Sequence, residues 1–267
     1  MARVITIASN KGGTGKTTTA VNFSAALRAK GYDVLIIDYD GQANVTDTLR
    51  VDTSGGTTYD AMKERATPFI NPVRVLPQGK GCGVLDVLPS CSDLSALDVE
   101  LGNEPDRLTR FTDIVAKYRT WYDVIVIDTA PVLGLLTLSA LYAADELITT
   151  VQPEYLAVKG LLTINETVEA LNNNRQSSGF PGIKVLFTQY DRRKSLHRMT
   201  AEQVEAAGFQ VFGTRIRENV ALGEAPAAGL DIYRYNPNSN GAADYRAFTT
   251  EYLNGVKLNH VAHKYGK

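Results

Sequence analysis

Two lysines, a threonine and three aspartates have the types and spacing to handle a phosphorylated ligand. Lys11, Lys16 and Thr17 lie in Asn10-Lys11-Gly12-Gly13-Thr14-Gly15-Lys16-Thr17-Thr18, behind the apolar run Val4-Ile5-Thr6-Ile7-Ala8 and ahead of a helical pattern through Ala20, Val21, Phe23 and Leu27. Small residues let backbone N–H groups converge on an anion at a helix N-terminus, where unpaired amides and the macrodipole already favour negative charge. Lys16 is placed to reach the β and γ phosphates, and the Thr17 hydroxyl to hold Mg²⁺. Asp38, Asp40 and Asp128 each end or follow an apolar run.

Those runs are the elements that must position the chemistry. Residues 33–38, 84–88, 122–128, 147–151, 183–187 and, more weakly, 209–212 are continuous and apolar, with helical patterns between them. Runs apolar on both faces predict an α/β fold, a mostly parallel β-sheet flanked by helices on both faces, with ligands at the carboxyl ends of its strands. The glycine-rich stretch, Asp38-Tyr39-Asp40 and Asp128 all fall at such ends. Residues 50–80, with Ser54-Gly55-Gly56 and Asn71-Pro72, read as loop-rich, and no linker or repeat interrupts residues 1–267, so a single domain is expected. Pro131 is expected to open an apolar, buried helix, and Val158 to Leu171 to form a half-exposed one. The last helix carries Tyr245, Phe248, Tyr252, Leu253 and Val256 on one face, a docking face for the body of the domain; the tail from about 258 is expected to be loose.

The chain has 267 residues, a net charge of −1 and two cysteines, Cys82 and Cys91. The charge gives no global attraction to nucleic acid or acidic lipid, so any polyanion must meet a local patch. Two distant cysteines make no common metal signature and fit a reducing, cytoplasmic setting. No stretch is apolar and long enough to be a signal peptide or a membrane span.

The segment KGGTGKTT, with Asn10 where the strict phosphate-loop motif has glycine, resembles the deviant Walker A motif of the ParA/MinD group of P-loop NTPases. Asp38-Tyr39-Asp40-Gly41-Gln42-Ala43-Asn44-Val45-Thr46 is similar to that family's first switch segment, DxDPQGNxT, and Asp128-Thr129-Ala130-Pro131 to its Walker B and second switch segment. The resemblance implies an ATPase that dimerises with ATP. Lys11, Gly12, Gly13, Thr14, Gly15, Lys16, Thr17 and Thr18 would cradle ATP, and Lys11 would reach the phosphates bound by a second copy. Thr17, Asp38 and Asp128 would serve Mg²⁺, and Asp40 would orient the attacking water. Asp128 also has a plainer reading, as a cap for the following helix with Pro131 in its first position. Gly41 in the family's proline position predicts a looser loop.

Thr188-Gln189-Tyr190-Asp191 stands where the family has an adenine-contacting turn, and Ile216 to Pro226 resembles its base-contacting segment IPRNVRLSEAP, which brings in Gln189 and Arg217. The GTP-specific Asn-Lys-x-Asp pattern is absent, so ATP is expected. The resemblance is strongest to the short ParA or Soj-like branch, which implies non-specific DNA binding, partition of a plasmid or chromosome with a ParB-type partner, and a cytoplasmic, nucleoid-associated location. Only nine residues precede Asn10, so no helix-turn-helix module is expected ahead of it.

DNA binding would then fall on Arg192, Arg193, Lys194 and Arg217. Residues 192–198 hold four basic side chains and no acid, and Arg193 matches a DNA-contacting arginine of the family. A second patch is expected from Arg234, Arg246, Lys257, Lys264 and Lys267. The alternative from the same resemblance is a MinD-like or cargo-positioning ATPase on a membrane or protein scaffold; the tail lacks a strong apolar stripe, which disfavours the membrane.

Overall fold

The computed structural model describes residues 1–63, 69–173 and 182–261. In chain order the elements are β1 (Arg3–Ala8), α1 (Lys16–Ala29), β2 (Val34–Tyr39), α2 (Asn44–Thr48), α3 (Thr58–Lys63), β3 (Val73–Leu76) and β4 (Leu85–Leu88). A 3₁₀ turn at Ser92–Ala96 leads to α4 (Leu97–Glu100), α5 (Arg110–Tyr118), β5 (Val124–Thr129), α6 (Leu135–Ala143), β6 (Glu146–Val151) and α7 (Ala157–Asn173). The remainder is β7 (Ile183–Phe187), α8 (Ser195–Ala206), β8 (Gln210–Val211), α9 (Val220–Ala228), α10 (Ile232–Tyr235) and α11 (Asn240–Gly255).

The eight strands form one sheet in the order β3-β4-β2-β5-β1-β6-β7-β8. Every pairing is parallel except β3 with β4. Strands β2, β5 and β6 are buried at every position, as apolar runs covered on both faces require.

Side chains alternate between the faces. Leu35, Ile37, Ile125 and Ile127 pack with Phe111, Ile114 and Val115 of α5 and Leu136 and Ala140 of α6. Their neighbours Val34, Ile36, Val124 and Val126 pack with Ala20, Phe23 and Leu27 of α1 and Tyr245, Phe248 and Tyr252 of α11. The apolar stripe of α11 is thus a docking face, with the Phe23 ring 4.9 Å from Phe248 and 5.1 Å from Tyr252. Among the described residues no helix is long and apolar enough to cross a membrane.

Three expectations change. The loop-rich stretch contains α3 and the edge strand β3, a four-residue piece between Pro72 and Pro77 that is too short to show a period. Arg74 pins it by an ion pair to buried Asp86 on β4, which also accepts from the Tyr122 hydroxyl at 2.7 Å. Pro131 does not begin a helix; α6 starts at Leu135, where Asp98 accepts the Leu136 N–H at 3.0 Å.

The third change is at the C-terminus. The tail is docked as far as Val261: the His260 ring stacks on Tyr32 at 4.9 Å, and buried Asp123 accepts the Val261 N–H at 2.5 Å. Lys264 and Lys267 of the expected second basic patch lie outside the described residues.

Candidate nucleotide site

The phosphate loop joins β1 to α1. Gly13 and Gly15 have φ of +75° and +83°, left-handed values that favour glycine. Gly15 immediately precedes α1, makes no side-chain cap, and no acid occupies the first helical turn. The helix therefore presents its N-terminal amides with no carboxylate of the same turn competing for them.

The loop is braced by polar contacts from strand ends. The Thr188 hydroxyl donates to the Thr14 carbonyl at 2.7 Å, and the Thr14 and Thr150 hydroxyls are 2.9 Å apart. The Gln189 side chain donates to the Gly13 carbonyl at 2.8 Å and accepts from Gln152 at 2.5 Å. Asn10, the departure from the strict motif, donates to the Gly160 carbonyl on α7 at 3.2 Å. A Cβ on Gly160 would lie 2.8 Å from the Asn10 Oδ1, so the side chain and the glycine fit as a pair.

Lys16 is buried, 7% exposed, with Nζ 3.4 Å from the Lys11 carbonyl. Burial lowers its pKa, against the pull of Asp128 and Asp40. Lys11 is half exposed and turned onto its own chain, its Nζ 2.5 Å from the Glu154 carboxylate and 3.5 Å from Gln152 Oε1. Gln152 and Glu154 belong to no motif quoted above. Their only sequence signal is a polar pair just past the carboxyl end of an apolar strand.

Asp38 and Asp128 are partners in the parallel register of β2 and β5. By the two-residue period they continue the stripes Val34, Ile36 and Val124, Val126, and so stand on the face covered by α1. Thr17, in the first turn of α1, donates its hydroxyl to Asp128 Oδ2 at 2.6 Å. Asp38 Oδ2 accepts from the Thr46 N–H at 2.9 Å and hydroxyl at 2.7 Å.

The second oxygen of each acid, Oδ1, is buried with no hydrogen-bond partner among the described residues. Burial raises the Asp38 pKa to about 7; burial, then the neighbouring Asp38 charge, raises that of Asp128 to about 8. Two idle, desolvated carboxylate oxygens beside a threonine hydroxyl are a donor set suited to a hard divalent cation such as Mg²⁺. The side chain of Asp128 is thus turned to Thr17 and does not cap α6.

Asp40 is 6% exposed, and its Oδ1 accepts the Gln42 N–H at 3.0 Å. Its carbonyl accepts from Ser90 Oγ at 2.8 Å. The expected looseness at Gly41 is not found: a Cβ there would be 1.9 Å from Ser95 Oγ, so the position is packed tightly. Ala43, at the family's glycine position, holds φ of +51°.

Beside the loop, a cavity of about 220 Å³ is bounded by Gly15 and Thr18 on one side and by Ile216 to Asn219 and Leu222 on the other. Gln189 and Arg217 both line it. The Arg217 guanidinium is forked onto Asp244 of α11, with contacts of 2.6 to 3.1 Å that raise its pKa.

The adjoining basic loop is also partly neutralised. Arg193 forks onto Asp191 at 2.8 to 3.3 Å, which lowers the Asp191 pKa, and Arg215 pairs with Glu205 at 3.1 Å. Arg192 and Lys194 are exposed and have no ion pair among the described residues. A count of basic residues over 192–198 overstates the free charge, because Asp191, which pairs with Arg193, lies just outside that window.

A family model described as an AAA domain matches residues 2–178. The chain is 37% identical to the chromosome-partitioning ATPase Soj of Treponema pallidum, over 94% of this chain and 97% of that one. It is similar in structure to a plasmid partition protein from Borrelia burgdorferi bound to AMPPNP, with a TM-score of 0.80, 25% identity, and coverage of 96% of this chain and 100% of that one. It also resembles cobyrinic acid a,c-diamide synthase from Mycobacterium smegmatis with bound ADP and magnesium, with a TM-score of 0.75, 27% identity, and coverage of 98% and 100%. With its phosphate loop, switch acids and sheet order, the chain belongs to the ParA/Soj family of P-loop partitioning ATPases.

Proposed function

We propose that this protein binds and hydrolyses ATP with Mg²⁺, forms a dimer around the nucleotide, and partitions a plasmid or chromosome by binding DNA without sequence preference together with a ParB-type partner. The observation that carries this reading is the pairing of Asp38 and Asp128 beside Thr17 and Lys16, four functional groups from three elements meeting at one helix N-terminus. Bound ATP and Mg²⁺ supply the phosphoryl group and the charge that assists its departure.

The protein's part is positioning and electrostatics. The Gly12 to Thr18 backbone and Lys16 hold the phosphates, while Thr17, Asp38 and Asp128 hold the cation. Asp40 orients the attacking water and accepts its proton. Lys11 serves the second copy's nucleotide after leaving Glu154, an exposed pair worth no more than about 1 kcal/mol and therefore readily exchanged. The Gln189 side chain acts on the base only indirectly, through the loop it braces.

On this reading the DNA surface is built on Arg192 and Lys194, doubled in the dimer. The test is binding to a random-sequence duplex with ATP, ADP and no nucleotide at two salt concentrations. Binding that needs ATP, weakens steeply with salt and is lost in Arg192→Ala/Lys194→Ala supports the assignment. Equal binding in all three nucleotide states refutes the nucleotide switch, and no binding in any state refutes the DNA role.

A further inference from the structure

We propose that Ser95 is a positioning residue for hydrolysis: its hydroxymethyl group fills the space beside Gly41 and so fixes the turn that presents Asp40. This rests on the reading of Asp40 as the group that orients the attacking water, and it assigns what holds that group in place.

Asp40 opens a four-residue turn. Its carbonyl accepts the Ala43 N–H at 2.9 Å and its Oδ1 accepts the Gln42 N–H at 3.0 Å, so the backbone of residues 40–43 sets the direction of the carboxylate. Neither Gly41 nor Gln42 has a left-handed φ, which leaves the type I form. The second position of such a turn favours proline, whose ring fixes φ in advance, whereas glycine is the least constrained residue there. The backbone conformation thus gives no reason for a glycine, and the turn by itself is soft.

The reason lies in a neighbouring segment. A Cβ on Gly41 would be 1.9 Å from Ser95 Oγ and 3.0 Å from Ser95 Cβ, so the serine side chain occupies the volume that another residue at this position would claim. The segment that carries Ser95 is itself anchored. Leu94 and Leu97 on either side are fully buried in the core, and Asp98 accepts the Leu136 N–H of α6 at 3.0 Å. Ser90, just upstream, donates to the Asp40 carbonyl at 2.8 Å. A fixed wall therefore stands against the softest joint of the turn.

The test measures ATP affinity by nucleotide titration and hydrolysis by phosphate release, with Mg²⁺ on the full chain, for wild type, Ser95→Ala, Gly41→Pro and the double variant. Ser95→Ala is expected to lower kcat by about 10-fold with ATP affinity unchanged, less than the ~10²-fold loss that a misplacement of about 1 Å can cost. Gly41→Pro alone is also expected to lose hydrolysis, because its Cβ meets Ser95 Oγ. Together the two substitutions are expected to restore most of the rate, since the proline ring then fixes the turn where the hydroxyl had stood. An unchanged kcat in Ser95→Ala overturns the proposal, as does a fall in its ATP affinity that matches the fall in rate, or a double variant no faster than Ser95→Ala. A wild type that hydrolyses no ATP, or Asp40→Ala hydrolysing it as fast as wild type, overturns the reading of Asp40 itself, so the two failures are distinct.

Discussion

Replacing Asp128 by asparagine should change how stability depends on pH, in a direction that burial fixes. Asp38 and Asp128 are fully buried neighbours, with pKa values raised from 3.8 to about 7 and about 8. Between about pH 4 and pH 7 the folded, metal-free chain therefore holds protons that the unfolded chain has released. Unfolding releases them, so the contribution of these two groups is greatest at low pH and is lost as pH rises towards the folded values. The slope is about 1.4 kcal/mol per pH unit for each carboxyl and depends on the direction of the shift more than on its size.

Asp128→Asn removes one such group. Urea unfolding followed by circular dichroism in EDTA at pH 5, 6 and 7 should give a stability line shallower than wild type by up to about 1.4 kcal/mol per unit. The variant should then gain up to about 2.7 kcal/mol on wild type between pH 5 and pH 7. Adding ATP and Mg²⁺ at pH 7 should stabilise wild type and leave the variant little changed. Parallel lines for the two proteins would refute the reasoning, since they would mean that Lys16 keeps Asp128 ionised in the folded chain.

Asp40→Ala should retain ATP binding and lose phosphate release, measured by nucleotide titration and a phosphate assay; loss of ATP binding would remove Asp40 from its assigned role. Phe248→Ala should lower the unfolding free energy by about 3 to 5 kcal/mol, because the ring is fully buried between Phe23 and Phe212, and a loss under 1 kcal/mol in urea would contradict that packing. Gly83→Ala would bring a Cβ to 2.0 Å from the Tyr32 carbonyl oxygen, so a marked fall in melting temperature is expected, and an unchanged one would show that the turn into β4 moves freely.

The sheet was legible wherever a strand is buried on both faces, because such a strand has to be a continuous apolar run. Strand β3 shows no such run because an edge strand half open to water needs none; Val75 and Leu76 are only partly buried against the core, and Arg74 on Asp86 ties the strand to β4. The start of α6 is not legible because Pro131 fits a first helical turn, whereas Asp98, remote in sequence, accepts the Leu136 N–H in the first turn of the helix. The phosphate loop and the acids were legible from local motifs. The partners Glu154, Gln152 and Asp244 were not, since long-range pairing leaves no pattern in a local window.

The same alternation that builds the core also builds the site. Val34, Ile36 and Asp38 share one face of β2, and Val124, Val126 and Asp128 share one face of β5, so each apolar stripe under α1 ends in a carboxylate at the helix N-terminus. The residues between them look the other way: the Tyr39 hydroxyl lies 3.1 Å from Ser139 Oγ on α6. A one-residue slip of either strand would bury its acid against α6 and expose its core stripe to the wrong layer. Hydrophobic packing thus fixes the register, and the register delivers Asp128 to Thr17 and sets Asp38 beside Asp128. Burial raises the pKa of both acids, so ionising them in the metal-free chain costs stability that the Lys16 charge only partly returns.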